Sequence, residues 1–307
     1  MTLNLKEVKL QNIKLELELS INAHSDTIFQ ISIFPSGKII SVSKDKSIKI
    51  WNNDFKLHQN IQNAHEHSIF NVSIKNENSF VTCSYDESIK FWNKKEEKFF
   101  CSEVLKEAHY FQIFKVLYLE NGTLISCSED GNVKIWDEVK ENLHQLKTII
   151  SHKNVIYSFL LLNDINIFVT SGYGGTYFWN YNSLDFIFKV NVKCPWWNSI
   201  ERIEKDKVII GGLNETNLYI INISKKEIVK EIDNKFFVNC ILNIDDKGIF
   251  MVGGNNNNIH IYRKDNFELL KIFNPNHYKN IYGLMQYNNN KIITFSSGTD
   301  YKIWKLD

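Results

Sequence analysis

Short apolar stretches alternate with polar turns along most of the chain. The stretch IFNVSI, for example, is followed by the polar turn KNENS and then by the β-branched stretch SFVTCS. Runs of this length between turn-forming residues are typical of β-strands. Helical periodicity over a useful length is not evident in the sequence. The pattern therefore predicts an all-β fold.

The pattern repeats with a period near 42 residues. Seven similar segments end 41 to 44 residues apart, at Trp51, Trp92, Trp136, Trp179, Ile221, Tyr262 and Trp304. A histidine lies 27 residues before five of these ends, at His24, His65, His109, His152 and His277. Four short strands in a period of this length are the spacing of a β-propeller blade. The sequence therefore predicts seven four-stranded antiparallel blades.

Three repeats contain the same set of His, Ser, Asp and Trp residues. With these sets the chain resembles the WD-repeat β-propeller family over essentially its whole length, although the Trp-Asp dipeptide occurs within the repeats only at Trp136-Asp137. The resemblance implies that each set is a structural tetrad, a hydrogen-bond chain that ties the loop between blades to two strands. The sets are His24, Ser43, Asp45 and Trp51; His65, Ser84, Asp86 and Trp92; and His109, Ser128, Asp130 and Trp136.

A hydrolase triad is the chemical alternative for Ser, His and Asp in one set. A buried Trp N–H needs an acceptor, a Ser hydroxyl both accepts and donates, and an Asp fixes the tautomer of the imidazole. Three copies at blade spacing favour scaffolding, because a catalytic set is usually needed once. In the fourth repeat Tyr173 stands in the place of the Asp, and in the seventh Gly298 does. The fifth and sixth repeats retain almost nothing of the set, so they are either degenerate or free for binding.

We expect one propeller domain over residues 1–307. Only three residues follow Trp304, too few for a fourth strand, and the alternating segment 14–21 precedes the first histidine without a blade of its own. The family resemblance implies that such an N-terminal strand completes the last blade and closes the ring, which removes exposed sheet edges. The predicted blades lie near 22–61, 62–105, 106–148, 149–190, 191–232, 233–273 and 274–307.

An aromatic residue follows the repeated histidine by five positions in five repeats. An isoleucine precedes it each time, and successive side chains on a strand face opposite ways, so we expect the aromatic residues to point away from the core between blades. In the family that this chain resembles, the top of the first strand is a frequent partner-contact position. We predict an exposed aromatic collar of Phe29, Phe70, Phe114, Tyr157 and Tyr282, joined by Tyr85, Trp196 and Trp197. The alternative is that these aromatic residues pack against one another as additional core.

Charge and composition exclude several classes of function. The net charge is +1 and Arg202 and Arg263 are the only arginines, which argues against nucleic acid as a partner. The N-terminus lacks a secretory apolar region, and no stretch approaches the roughly 18 apolar residues of a membrane helix. Five cysteines without a close pair fit a reducing compartment. We expect a soluble chain in the cytoplasm, with the nucleus as the alternative, and no membrane insertion.

Metal and cofactor sites are not predicted. His65-Glu66-His67 supplies too few ligands for zinc, and no phosphate-binding loop opens a helix. We therefore expect a monomeric, non-enzymatic scaffold that binds a protein or peptide partner on its top face, within a multiprotein complex. One alternative is an enzyme with a site in repeats five and six, near Cys194, Glu201, Glu204 and Asp206. Another is a substrate-adaptor subunit of a ubiquitin ligase, although Trp136-Asp137-Glu138-Val139 lacks the arginine that those adaptors often show.

Overall fold

The computed structural model describes residues 13–119, 121–139, 142–150, 152, 154–193, 199–211 and 216–307. These residues contain 28 β-strands and two single turns of 3₁₀ helix, and the strands form seven four-stranded antiparallel sheets. The sheets are the blades of a β-propeller, which confirms the predicted fold class. The chain divides into two compact units, His24–Trp197 and Met1–Ala23 together with Asn198–Asp307.

Strand β1 spans Leu15–Asn22 and belongs to the second unit. The first unit holds blades 1 to 4, and within each blade the strands follow chain order. Blade 1 contains β2 (Ile28–Ile33), β3 (Ile39–Ser43), β4 (Ile48–Trp51) and β5 (Leu57–Ile61). Blade 2 contains β6 (Ile69–Asn76), β7 (Ser79–Ser84), β8 (Ile89–Lys95) and β9 (Lys98–Leu105). Blade 3 contains β10 (Ile113–Tyr118), β11 (Leu124–Ser128), β12 (Asn132–Val139) and β13 (Asn142–Ile150). Blade 4 contains β14 (Ile156–Leu162), β15 (Ile167–Gly172), β16 (Gly175–Asn180) and β17 (Phe186–Val190).

The second unit holds blades 5 to 7. Blade 5 contains β18 (Ile200–Glu204), β19 (Lys207–Gly211), β20 (Asn217–Asn222) and β21 (Glu227–Asp233). Blade 6 contains β22 (Val238–Ile244), β23 (Ile249–Gly254), β24 (Ile259–Arg263) and β25 (Leu269–Phe273). Blade 7 contains β26 (Ile281–Asn288), β27 (Lys291–Ser296) and β28 (Asp300–Leu306). Strand β1 is its fourth strand, paired with β28 from Leu15–Leu306 to Asn22–Asp300, so the segment predicted to complete the last blade does so.

The core lies between neighbouring sheets. In the first unit one cluster joins Ile40, Val42 and Ile50 of blade 1 to Ile69 and Trp92 of blade 2. The second and third strands supply most of this packing; every residue of β3 is buried, whereas the outer strand β5 has no buried residue. Since burying an isoleucine side chain stabilises a fold by roughly 1.5–3 kcal/mol, the repeated apolar strands account for the stacking of blades. The isoleucine series that begins each first strand is fully buried, as expected.

Candidate protein-interaction site

A hydrogen-bond tetrad fixes the loop at one end of blade 1. The Trp51 indole nitrogen donates to Ser41 Oγ at 3.1 Å, and the same hydroxyl lies 2.8 Å from His24 Nε2. The other ring nitrogen of His24 lies 2.9 Å from an Asp45 carboxylate oxygen. The hydroxyl thus donates to Nε2, and the Nδ1–H donates to the carboxylate. Blades 2 and 3 repeat the chain, with Thr82 and Ser126 as the hydroxyl residues.

The hydroxyl member of each tetrad lies two residues before the serine that the sequence analysis had assigned. Ser43, Ser84 and Ser128 are buried, but they do not receive the Trp N–H. Ser43 donates to the Asp26 carbonyl oxygen at 3.2 Å and accepts the Asp45 amide at 3.0 Å; Ser84 and Ser128 make the corresponding bonds. Residues two apart on a strand share a face, and the indole of the adjacent strand reaches only the deeper hydroxyl. These serines therefore fix the turn, and the tetrad role is corrected to Ser41, Thr82 and Ser126.

The tetrads are neutral-imidazole scaffolds. Burial lowers the pKa of His24, His65 and His109, and the paired aspartates raise it only in part. Burial also raises the pKa of Asp45 and Asp86, but hydrogen bonds from the histidine and neighbouring groups outweigh it and leave both below their ordinary values. Each charged carboxylate is thus held by donors, and each imidazole is enclosed between a hydroxyl and a carboxylate. This arrangement offers no exposed nucleophile.

Blade 7 in the second unit has a complete tetrad that the sequence analysis missed. The Trp304 indole donates to Thr294 Oγ1 at 2.9 Å, and His277 lies 2.8 Å from the same hydroxyl. The carboxylate comes from Asp300, 3.1 Å from His277 Nδ1, two positions after the Gly298 that stands in the expected place. Asp300 reaches the same imidazole from two positions further along the turn. A comparison of repeats at constant residue spacing therefore does not identify it.

Blade 4 in the first unit lacks the carboxylate. Trp179 donates to Thr170 Oγ1 at 2.9 Å, and His152 Nε2 lies 3.0 Å from that hydroxyl. Because Ile156 pairs with Gly172 as Ile28 pairs with Ser43, the residue in the aspartate position is Gly174 rather than Tyr173. Tyr173 corresponds instead to Tyr85.

Blades 5 and 6 show no arrangement of a nucleophile and a base within their described residues. Glu204 pairs with Lys207 at 2.7 Å, and Asp206 accepts from the side-chain amide of Asn222 at 2.9 Å. Glu201 accepts the amide of Arg202 at 2.9 Å, and Cys194 lies outside the described residues. In blade 6 a shorter chain replaces the tetrad, in which the Tyr262 hydroxyl donates to Asn234 at 2.6 Å.

The predicted aromatic collar is a buried row in the first unit. Phe29, Phe70 and Phe114 are only 8%, 7% and 6% exposed, which corrects the expectation that they are accessible. Ring centroids are separated by 5.0 Å between Phe29 and Phe70, 5.4 Å between Phe70 and Phe114, and 5.2 Å between Phe114 and Tyr157. Phe29, Phe70, Phe114 and Tyr157, hereafter the aromatic row, therefore cover one another.

A β-bulge explains how the aromatic row is aimed. The pairing of the first and second strands shifts register between Ile28 and Gln30, where Phe29 is the extra residue, and between Ile69 and Asn71 around Phe70. The same shift recurs at Phe114 and Tyr157. A bulge redirects the side chain of its extra residue, so simple alternation along the strand does not describe its direction. Tyr157 is half-buried, as is Tyr282 in the second unit, and Trp196 and Trp197 lie outside the described residues.

Other aromatic side chains are exposed on the loops of the first unit. Tyr85, Tyr110, Phe111 and Tyr173, hereafter the exposed rim, are 52%, 81%, 55% and 46% exposed. Tyr85 and Tyr173 lie in turns between second and third strands, and Tyr110 and Phe111 directly follow the tetrad residue His109. Of these four residues, only Tyr85 is predicted from the sequence. Tyr110 and Phe111 could have been identified as loop residues from the sequence, because they directly follow the tetrad histidine His109.

Backbone hydrogen bonds place these loops on one face of the first unit. The Tyr85 amide donates to the Ser68 carbonyl at 3.0 Å, and the Tyr173 amide makes the same bond to Val155, so each turn is tied to the loop before its own blade. Other backbone hydrogen bonds join neighbouring blades; the Ala108 amide, for example, donates to the Glu87 carbonyl oxygen at 3.1 Å. Because both loop types lie at the end where the first strands begin, the exposed rim forms part of one ordered face.

The aromatic row contacts the exposed rim at Tyr85. The Tyr85 ring lies 6.3 Å from Phe70 and 5.5 Å from the exposed His67 ring, which the sequence analysis expected in a solvent-facing loop. Cations lie beside two rim residues, with Lys134 Nζ 5.9 Å from the Tyr110 ring and Lys193 Nζ 4.5 Å from the Tyr173 ring. The face therefore combines aromatic area with charged groups at its edge.

Metal and membrane features are absent from the described part of the chain. No three His, Cys, Asp or Glu side chains there are grouped as they would be to hold a metal ion. The described residues also contain no helix with the length and apolar character needed to cross a membrane.

A family model described as WD domain, G-beta repeat matches residues 15–52, 57–93 and 101–137. These matches include the first three tetrads, and the same unit of four strands continues through all seven blades. The three matched repeats and the seven four-stranded blades are consistent with a WD-repeat family protein. WD-repeat propellers are in general non-enzymatic scaffolds for protein interactions. Among curated proteins, no significant match to this WD-repeat chain is found.

Proposed function

We propose that this WD-repeat protein is a non-enzymatic scaffold that binds a peptide or protein segment on the loop face of its first unit. The observation that carries the proposal is the exposed rim, in which four large aromatic side chains stand on hydrogen-bonded loops. Large exposed apolar surface costs free energy in water and commonly marks an interaction site. Aromatic residues are also enriched among the side chains that dominate interface energies.

The aromatic row contributes to binding indirectly. Phe70 packs against Tyr85 of the rim, and Phe70 and Phe114 offer little surface of their own, since each is less than a tenth exposed. They hold the first strands of neighbouring blades together and keep the loops in register. A partner would therefore contact the exposed rim, and we propose that the protein acts in this way within a multiprotein complex of the cytoplasm.

Capture of partners from the native cell tests the proposal. The double variant Tyr110→Ala/Phe111→Ala should lose capture of the principal partner by about tenfold or more, as expected when central aromatic contacts are removed. The matched control is Phe100→Ala, because Phe100 is 46% exposed but lies on the outer strand β9. Equal capture by the rim variant and the wild type, or a loss confined to Phe100→Ala, would refute the proposed face.

A further inference from the structure

Blade 4 contains a buried hydrogen-bond donor that nothing in the described part of the chain accepts. His152 is 4% exposed, and its Nδ1 atom has no hydrogen-bond partner among the described residues. The Trp179 indole can only donate, so Thr170 Oγ1 accepts from it and has its own proton to donate to His152 Nε2. In this arrangement, which is that of blades 1 to 3, the neutral imidazole carries its proton on Nδ1, and an incoming carboxylate would select this tautomer. Buried polar groups of this kind are normally satisfied.

Equivalent nitrogens in the first unit all donate to a carboxylate. The distances from Nδ1 to Asp45, Asp86 and Asp130 are each 2.9 Å. In blade 4 the corresponding residue is Gly174, and a Cβ atom built on it would lie 3.2 Å from His152 Nδ1. The glycine position thus faces the imidazole as the aspartates do, but it brings no acceptor.

Two lysines without acidic partners lie next to this position. Lys189 Nζ is 4.8 Å from the centre of the Tyr177 ring, and that ring lies 4.2 Å from the His152 ring. Lys193 Nζ is 4.5 Å from the Tyr173 ring of the exposed rim. Neither lysine forms an ion pair within the described residues. Burial and then the charge of Lys189 lower the pKa of His152 to about 3, whereas the aspartates of blades 1 to 3 oppose such a decrease.

We propose that blade 4 is a carboxylate-binding subsite, and that an Asp or Glu side chain of the bound partner takes the place of the missing tetrad aspartate. His152 Nδ1–H would donate to this carboxylate, and Lys189 and Lys193 would neutralise its charge. The inference rests on the proposed function, because the subsite adjoins Tyr173 of the exposed rim. It specifies the partner further as a segment that carries an acidic residue beside its apolar contacts.

Access to the imidazole requires movement of one side chain. The Lys189 Cε atom would lie 2.8 Å from a Cβ on Gly175, so the lysine stem lies over Gly175, next to the Gly174 that faces His152. Lysine side chains rotate readily, and pairing with an incoming carboxylate draws the ammonium group outward. The two glycines leave the backbone without side chains at the entrance. Binding of the acidic group and uncovering of Nδ1 therefore occur together.

A peptide library with one fixed position tests the subsite. Amidated peptides with Asp or Glu at that position are compared with the Asn or Gln versions, on the wild type, Gly174→Asp and Gly174→Ala. We expect the wild type to prefer the acidic peptides about tenfold, the effect of one charge-assisted hydrogen bond. Gly174→Asp should lose the preference because its own carboxylate occupies the subsite, and Gly174→Ala should weaken it because its methyl group would lie 3.2 Å from His152 Nδ1, in the path of the incoming carboxylate.

The outcomes separate the subsite from the interaction face. Peptides that bind through the rim without acidic preference, or a preference that survives in Gly174→Asp, would overturn the subsite and leave the proposed function intact. If no library member binds, titration of ¹⁵N-histidine-labelled protein with acetate decides: we expect a saturable shift of the His152 signal in the wild type, absent in Gly174→Asp, and no shift would overturn the subsite.

Discussion

Replacement of Phe70 by alanine should destabilise the first unit strongly. The Phe70 ring is 7% exposed and lies 5.0 Å from Phe29 and 5.4 Å from Phe114, so truncation opens a cavity between three blades. Phe→Ala substitutions in cores cost about 3–5 kcal/mol, and the position of Phe70 at the start of a strand favours the lower end, about 3 kcal/mol. A functional surface residue would instead cost little free energy of unfolding.

Urea unfolding of Phe70→Ala beside Tyr85→Ala measures this difference. Tyr85 is 52% exposed and contacts Phe70 at 6.3 Å, so its truncation removes a neighbouring ring without opening the core, and we expect a loss below about 1 kcal/mol. The double variant Phe70→Ala/Phe114→Ala should lose less than the sum of the single changes, because both truncations enlarge one cavity. A Phe70→Ala protein as stable as Tyr85→Ala would refute the assignment of the aromatic row to the core.

Three further predictions follow from the tetrads and from β1. Thr82→Val leaves the Trp92 indole N–H and the His65 Nε2 atom without their hydrogen-bond partner, so it should cost about 2–4 kcal/mol and shift the Trp92 indole signal. Ser84→Ala should cost about 1 kcal/mol and leave that signal in place; the reverse order would contradict the corrected tetrad. Stability should change little between about pH 7 and pH 8 and should fall on acidification. The unfolded chain takes up protons near pH 6.5 at histidines whose folded pKa is lowered, and below about pH 4 at aspartates whose folded pKa is lowered too. Urea titrations between pH 7.5 and pH 4 measure it, and greater stability at acidic pH would be inconsistent with neutral tetrads. Deletion of residues 1–22 exposes the edge of β28 and should lower the melting temperature and promote aggregation; an unchanged melting temperature would show that β1 is dispensable.

The fold was predictable because its signal is repeated. Each blade buries the same strands against its neighbours, so the periodic Trp51, Trp92 and Trp136 and the preceding histidines recur at constant spacing. Even the incomplete last blade was recognisable, since the segment before His24 had the alternating pattern of an outer strand. Local variation was harder to infer: Asp300 supplies its carboxylate from two positions beyond the expected place.

The site was only partly predictable, because the sequence does not show which of two hydroxyl side chains on the same strand face accepts the hydrogen bond from the tryptophan indole. Ser41 and Ser43 share a face, and only the depth of the Trp51 indole distinguishes them. For Phe70, the β-bulge and the rings on either side decide exposure, and both depend on neighbouring blades. Blades 1 and 2 have no aromatic residue at the position of Tyr110. Comparison of these repeats therefore did not identify Tyr110 as a candidate binding residue.

Site-specific photocrosslinking in the native cell tests the central claim most directly. A photoreactive phenylalanine analogue is placed at position 111, on the exposed rim, or at position 100, on the outer strand β9. The account predicts a discrete crosslinked protein partner from position 111 and none from position 100. A partner crosslinked from position 100 alone, or no crosslink from position 111 in a folded protein, would contradict it.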